Sequence, residues 1–170
     1  PEEVAVLEET ACWSDLAHMA LAEVIRPGVT ERDLFVTVYD TVYRHGADHP
    51  SMLLIGTGPM NKPYSNFQRC RPVNRVLHRG DIVVTELGPR HPGGYEAQVG
   101  HVFTVGPCTQ MYQEMFGQAV AVHDRICDVL CVGNSEHEVW EAGRAFREAN
   151  FDPASPGTSN WAIVHGMFSI

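Results

Sequence analysis

The sequence predicts an α+β domain with helices on one face of a curved antiparallel sheet. Three observations lead there. Apolar residues recur at three- and four-residue spacing through the first 45 residues, which is helical periodicity. Two strand-like runs, Asp81–Leu87 and Tyr95–Val105, flank a short turn region rich in Gly and Pro, and strands joined so closely run antiparallel. The order of elements is then helices, a strand, a hairpin, helices and a strand.

Residues 2–25 form the first expected helix, with Val6, Cys12, Trp13, Leu16, Met19, Ala20 and Val24 as its recurring apolar positions, and Pro27-Gly28 stops it. Thr30 is the N-cap of the next. Its side chain can accept from the first turn, and Asp33 takes the place that Glu or Gln holds in a capping box. That helix runs to about His45 with Leu34, Val38 and Val42 on one stripe. Ser51–Gly56 is a short apolar strand, and 57–79, rich in Gly, Pro and Asn, is a loop. Asp81–Leu87 is a strand, Gly88–Gly94 the turn region and Tyr95–Val105 the returning strand. Helices follow at about 109–131 and, capped by Ser135, at 136–149; Trp161–Ile170 begins a further strand. No repeat, low-complexity tract or linker interrupts this order.

Composition narrows the class of partner. The chain has 170 residues, enough for one domain with a real core, and 44% of them are apolar and 19% charged. The net charge is −9 and no Lys/Arg run exists, which argues against nucleic acid as the main partner. No apolar run approaches the ~20 residues of a membrane helix. Five cysteines at irregular spacing, without CxxC, point to a reducing compartment, the cytoplasm, rather than a disulfide framework. Cys127 and Cys131 lie four apart on an expected helix, so they share a face; they read as small core residues, with a metal or redox pair as the alternative. Met52 and Trp161 also read as core, Tyr95 as packing at a strand start, and His123 and His137 are given no role. The chain opens inside a helix and stops inside a strand, so both ends are expected to continue in something longer, and a targeting segment would be lost with them.

The chemistry concentrates on the hairpin. Side chains alternate along a strand, so Glu86 shares a face with Ile82 and Val84, and Gln98 with Glu96, Gly100 and Val102. With the turn centred near Pro92, Glu86 lies opposite Gln98, and opposed residues sit ~4.5–5.5 Å apart at Cβ. A carboxylate and a carboxamide then face one spot. If that face is buried, both need partners, which a ligand, a metal or another residue can supply.

These residues belong to an ordered signature. It begins with Arg26-Pro27-Gly28-Val29-Thr30-Glu31 and continues through Gly80-Asp81-Ile82-Val83-Val84-Thr85-Glu86-Leu87-Gly88. Gly93-Gly94-Tyr95-Glu96-Ala97-Gln98-Val99-Gly100-His101-Val102-Phe103-Thr104-Val105-Gly106 follows, and Val164-His165-Gly166-Met167 ends it. The signature resembles the superfamily of methionine aminopeptidase, Xaa-Pro aminopeptidase, prolidase and creatinase, along nearly the whole chain. The resemblance implies the pita-bread α+β fold, with residues 1–170 as an incomplete catalytic domain whose C-terminal part is missing.

In the metallopeptidase members, two Asp on this hairpin, a later His and two still later Glu hold a pair of metal ions. By the resemblance these places fall on Glu86, Gln98 and His165, with the two Glu beyond Ile170. A further His, which helps stabilise the transition state, would fall near Asn61–Tyr64; His49 is the nearest His, and Tyr64 takes the place. A pair of divalent ions wants several anionic oxygen ligands, and a neutral carboxamide removes one full charge. The resemblance to creatinase, in which this pocket works without metal as a C–N bond hydrolase, implies the leading expectation: a creatinase-like hydrolase that cleaves a C–N bond of a small polar substrate without metal. His165 would be the general acid/base, Glu86 would orient it or activate water, and Gln98 and Tyr64 would hydrogen-bond the substrate. His101, where relatives often carry Arg, is a third candidate substrate contact. One alternative is a metal-dependent Xaa-Pro peptidase or prolidase relative acting on dipeptide-like substrates, with Mn, Zn or Fe held by Glu86, Gln98 and His165. The other is a non-catalytic binding protein. The resemblance also implies a homodimer.

Overall fold

A computed structural model describes residues 2–62 and 70–152. Tyr64, Trp161, His165 and the strand expected at 161–170 lie outside the described residues. Helix α1 spans Glu2–Val24 and α2 Glu31–Arg44; strands β1 (Asp48–Pro59), β2 (Asp81–Arg90) and β3 (Val99–Thr104) follow, then α3 (Gln110–Val129) and α4 (Glu136–Asn150). The three described strands form one antiparallel sheet in the order β1-β2-β3. The chain divides into two compact units, residues 1–108 and 109–170.

In the first unit α1 and α2 pack on one face of the sheet. Trp13, Ala17 and Leu21 of α1 and Leu34, Phe35, Val38 and Val42 of α2 meet Leu53, Ile55, Val83 and Leu87 in a single core. The predicted α2 stripe is the buried one. On α1 the buried face is Thr10, Trp13, Ser14, Ala17, His18 and Leu21, whereas Met19 is 63% exposed. Apolar residues surround α1, so spacing alone does not pick its inner side. Two of the buried polar side chains bond to the preceding helical turn: Thr10 donates to the Val6 carbonyl and His18 Nδ1 lies 2.9 Å from the Ser14 carbonyl, whereas the buried Ser14 hydroxyl has no hydrogen-bond partner among the described residues. The capping box at Thr30 forms as expected, the Thr30 N–H donating to Asp33 Oδ2 at 2.8 Å and the Asp33 N–H to Thr30 Oγ1 at 3.2 Å.

The strands differ in extent from the sequence expectation. β1 and β2 are longer, because Gly58 and Pro59 pair with Ile82 and Asp81, and Met52 pairs with Gly88. Gly and Pro commonly end strands, but here a ten-residue partner strand carries the pairing past them. β3 is shorter. Its ladder begins at Val99, and only the Glu96–Arg90 bridge precedes it. Between these pairs Pro89, which has no N–H, leaves a gap in the ladder.

A polar network ties the segment before β2 to the sheet. Arg75 donates to both Asp81 oxygens at 2.8 Å, and the His78 N–H donates to Asp81 Oδ2 at 2.7 Å. Thr57 Oγ1 donates to Glu31 Oε2 at 2.7 Å and lies 3.4 Å from Arg75 Nη1, while the Val73 N–H reaches Glu31 Oε1 at 3.2 Å. Burial pushes the Asp81 carboxyl up. The Arg75 and His78 hydrogen bonds and the Arg75 charge outweigh that and hold it below the usual carboxylate range.

In the second unit α3 and α4 pack together, α4 opening on a Ser135–Glu138 capping box. Cys127 is exposed, and so is Cys131, which lies beyond the end of α3. The expectation that both are core residues on one helix face does not hold, because the helix stops at Val129.

Candidate functional site

The two faces of β2 have different surroundings. Val83, Thr85 and Leu87 point toward α1 and α2, so by alternation Ile82, Val84, Glu86 and Gly88 point the other way. Glu86 is only 8% exposed, on the face turned from the helices, with Leu54 opposite it on β1 and Gly100 opposite it on β3.

The register differs from the expected one by two residues, so Gly100 rather than Gln98 is the direct partner of Glu86. A shift of two preserves the face. Gln98 is therefore a diagonal neighbour on the same side, a separation that a long side chain can bridge. Its Nε2 donates to Glu86 Oε1. The same nitrogen donates to the Met52 sulfur at 3.0 Å. By register Gln98 lies across from Gly88, and Gly88 pairs with Met52. Gly88 has no side chain to fill that row, so the carboxamide can lie across it. Both amide hydrogens then have acceptors on the protein, and Oε1 is the Gln98 atom presented to a ligand.

The turn that delivers Gln98 is fastened to α1. The His91 N–H donates to the Tyr95 carbonyl at 2.7 Å, and Gly94, at φ +91, closes the turn in a conformation that disfavours other residues. The His91 ring stacks on Trp13 with centroids 5.6 Å apart and planes 8° apart, and Tyr95 OH donates to Glu3. Ser51 of β1 donates to Glu96.

Of the predicted site residues, Glu86 and Gln98 are brought together. Tyr64 and His165 are outside the described residues. His101 is a correction: it is the register partner of Thr85, so it projects toward α1, away from Glu86. Its ring lies 5.4 Å from His18 and 4.8 Å from Phe103, centroid to centroid. Met52, expected in the core, accepts a hydrogen bond from Gln98. No sequence signal marks it, since its role depends on how β1 pairs with β2. His49 stacks on Tyr39 and pairs with Tyr43 OH at 2.8 Å.

The donor set on this face is one carboxylate, one carboxamide and one thioether. Among the described residues no group of three or more His, Cys, Asp or Glu could hold a metal ion. This set does not fit a bridged pair of divalent ions, which takes several anionic oxygens.

Comparison with known proteins places this geometry in a family. The model of metallopeptidase family M24 matches residues 6–167. The chain is 30% identical to the Xaa-Pro aminopeptidase of Escherichia coli over 120 residues, 68% of this chain and 26% of that protein. It is 24% identical to the Xaa-Pro dipeptidase of Pyrococcus furiosus over 144 residues, 84% of this chain and 40% of that protein. Among solved structures, the prolidase from Pyrococcus furiosus superposes with a TM-score of 0.75 at 22% identity, covering 87% of this chain and 43% of that one. An Escherichia coli aminopeptidase P variant in complex with substrate gives 0.73 at 26%, covering 87% and 33%. These matches carry the pita-bread fold, and the chain spans less than half the length of each relative. The expectation that no metal takes part gains no support from a family of metallopeptidases; the divalent-ion alternative is the one the family favours.

Proposed function

The chain belongs to metallopeptidase family M24, and we propose that it is part of a hydrolase that cleaves a C–N bond of a small polar, dipeptide-like substrate. The substrate would lie against the face of β2 that carries Glu86, with no bridged pair of ions held by the hairpin. One observation carries this reading: the carboxylate and carboxamide at the two hairpin positions are hydrogen-bonded to each other. A carboxamide that donates to the carboxylate beside it offers a metal no second charge. In this reading Glu86 is the charged group of the wall and orients water or a substrate N–H. Gln98 accepts from the substrate through Oε1. His165, by the resemblance, carries the proton. A metal, where one is bound, would be held at Glu86 and would polarise the scissile carbonyl.

A second reading, supported by relatives named as Xaa-Pro peptidases, is a metal-dependent peptidase with a changed or single-ion site. One experiment separates the two. The full-length protein is assayed for hydrolysis of Xaa-Pro dipeptides and small amides, before and after chelation, with its metal content measured. Turnover that survives chelator and falls with Glu86→Ala supports the first reading. Near-stoichiometric Mn, Zn or Fe, with activity lost to chelator, replaces it with the second. No turnover of any amide, with His165→Ala indistinguishable from the parent, favours a binding protein. The proposal includes a homodimer in the cytoplasm, which sedimentation of the full-length protein tests for its assembly.

A further inference from the structure

The helix-facing side of β2 carries a second polar constellation, back to back with Glu86. His18 of α1 is 8% exposed and Thr85 of β2 1%. His18 Nδ1 lies 2.9 Å from the Ser14 carbonyl, and Nε2 lies 2.9 Å from Thr85 Oγ1. Thr85 Oγ1 in turn lies 3.1 Å from the His101 carbonyl on β3.

Proton counting gives these contacts two states. A carbonyl only accepts, so Nδ1 carries a hydrogen in either state. In the neutral ring Nε2 is then a bare acceptor, and the Thr85 hydroxyl donates to it. The hydroxyl has one hydrogen, so the contact with the His101 carbonyl is left without a donor. In the protonated ring Nε2–H donates to Thr85 Oγ1, and the hydroxyl turns to donate to the His101 carbonyl. Every contact in the chain is then a hydrogen bond.

We propose that His18 is a proton-operated switch: its protonation reverses the Thr85–His18 hydrogen bond and turns the Thr85 hydroxyl hydrogen to the His101 carbonyl, keeping the β2–α1 bond and adding a β2–β3 bond beside Glu86. The charged groups around it bear on both states. Burial works against the imidazolium, and so does His101, which faces it from β3. The Ser14 carbonyl and Asp15, both on α1, favour it. β2 contributes Thr85, and Phe103 of β3 packs as an apolar neighbour with centroids 6.2 Å apart. The balance lies on the neutral side, and the His18 pKa falls below the ordinary His value. The group is thus neutral at pH 7 and charges under acid, when the hydroxyl reverses.

Long-range proton–nitrogen spectra of full-length protein labelled at histidine nitrogen test this, with His18 assigned by its loss in His18→Gln. At pH 8 the expected form is the neutral tautomer with hydrogen on Nδ1. As the pH is lowered from 8 it should titrate with a midpoint below the ordinary His value. Thr85→Val removes the acceptor of the charged form and should lower the His18 titration midpoint by a further several-fold change in proton affinity. Thr85→Ser should restore the parent midpoint. An Nε2–H tautomer at pH 8, a midpoint at or above the ordinary His value, or a midpoint unmoved in Thr85→Val would each overturn the switch.

Discussion

Replacing Arg75 with Met should destabilise the protein by about 3 kcal/mol at pH 7. The side chain keeps its apolar stem and loses both hydrogen bonds to Asp81, which is 3% exposed. Removing one partner of a buried ion pair costs about 3–5 kcal/mol, because the other charge is left in a poor solvent. The low end applies here, since Arg75 is itself 28% exposed and Asp81 keeps the His78 N–H. In a domain of this size that loss lowers Tm by roughly 6–12 °C. The pH dependence identifies the cause. The folded-state pKa of Asp81 is depressed, so its stabilisation is present above the unfolded carboxylate value of about 3.9 and is lost as pH falls through the folded value. With Arg75 gone, burial acts on Asp81 against His78 alone. The gap between parent and Arg75→Met should therefore be widest near neutrality and close as the carboxyl protonates in both. Urea denaturation of the full-length protein from pH 7 down to about 3.5 measures the gap. A loss under about 1 kcal/mol at pH 7, or a gap that stays constant with pH, would show that the pair does not hold the segment before β2 to the sheet.

Further perturbations should follow the same physics. Gln98→Leu leaves Glu86 without that amide donor and should cost about 1–3 kcal/mol, whereas the double change Glu86→Leu, Gln98→Leu should cost less than the single one, which a denaturant double-mutant cycle reads. Thr57→Val removes a donor to the fully buried Glu31 and should cost about 1.5–3 kcal/mol by the same assay; an effect within about 0.5 kcal/mol would mean that Val73 and its neighbours suffice. Trp13→Ala opens the core and removes the ring under His91, so a loss of about 3–5 kcal/mol should be accompanied by loss of the stacked His91 environment in the NMR spectrum.

The residues that carry local signals were legible in the sequence. Thr30 with Asp33, and Ser135 before its helix, mark their caps because the groups that satisfy a helix end lie within three residues. The α2 stripe is legible because Leu34, Val38 and Val42 recur four residues apart, even though Val36 and Tyr43 stand exposed on its other faces. What depends on pairing between distant segments was not. Met52 joins Gln98 only through the β1–β2 register, and the strand ends at Pro59 and Arg90 depend on partners rather than on local propensity. The buried face of α1 escapes a periodicity reading because Thr10, Ser14 and His18 are polar, and Thr10 and His18 satisfy themselves by bonds to the preceding helical turn or across to Thr85.

The Glu86–Gln98 contact outlasted a wrong register for a physical reason. A strand has a side-chain period of two, so only an odd error would have moved one residue to the other face. The actual shift, from a turn centred near Pro92 to one that pairs Glu86 with Gly100, is even. His101 shows the same rule from the other side. Three residues from Gln98, it has the opposite parity and points toward α1, whatever even shift is applied. Parity alone therefore sorts the hairpin's polar residues into two sites. Glu86 and Gln98 face outward from the helices, where a ligand can be met. Thr85 and His101 face α1, where Thr85 meets a buried histidine. Adjacent positions on β2 thus connect a candidate substrate wall to a proton-sensitive seam, and a change in the Thr85 hydroxyl is one peptide unit away from Glu86.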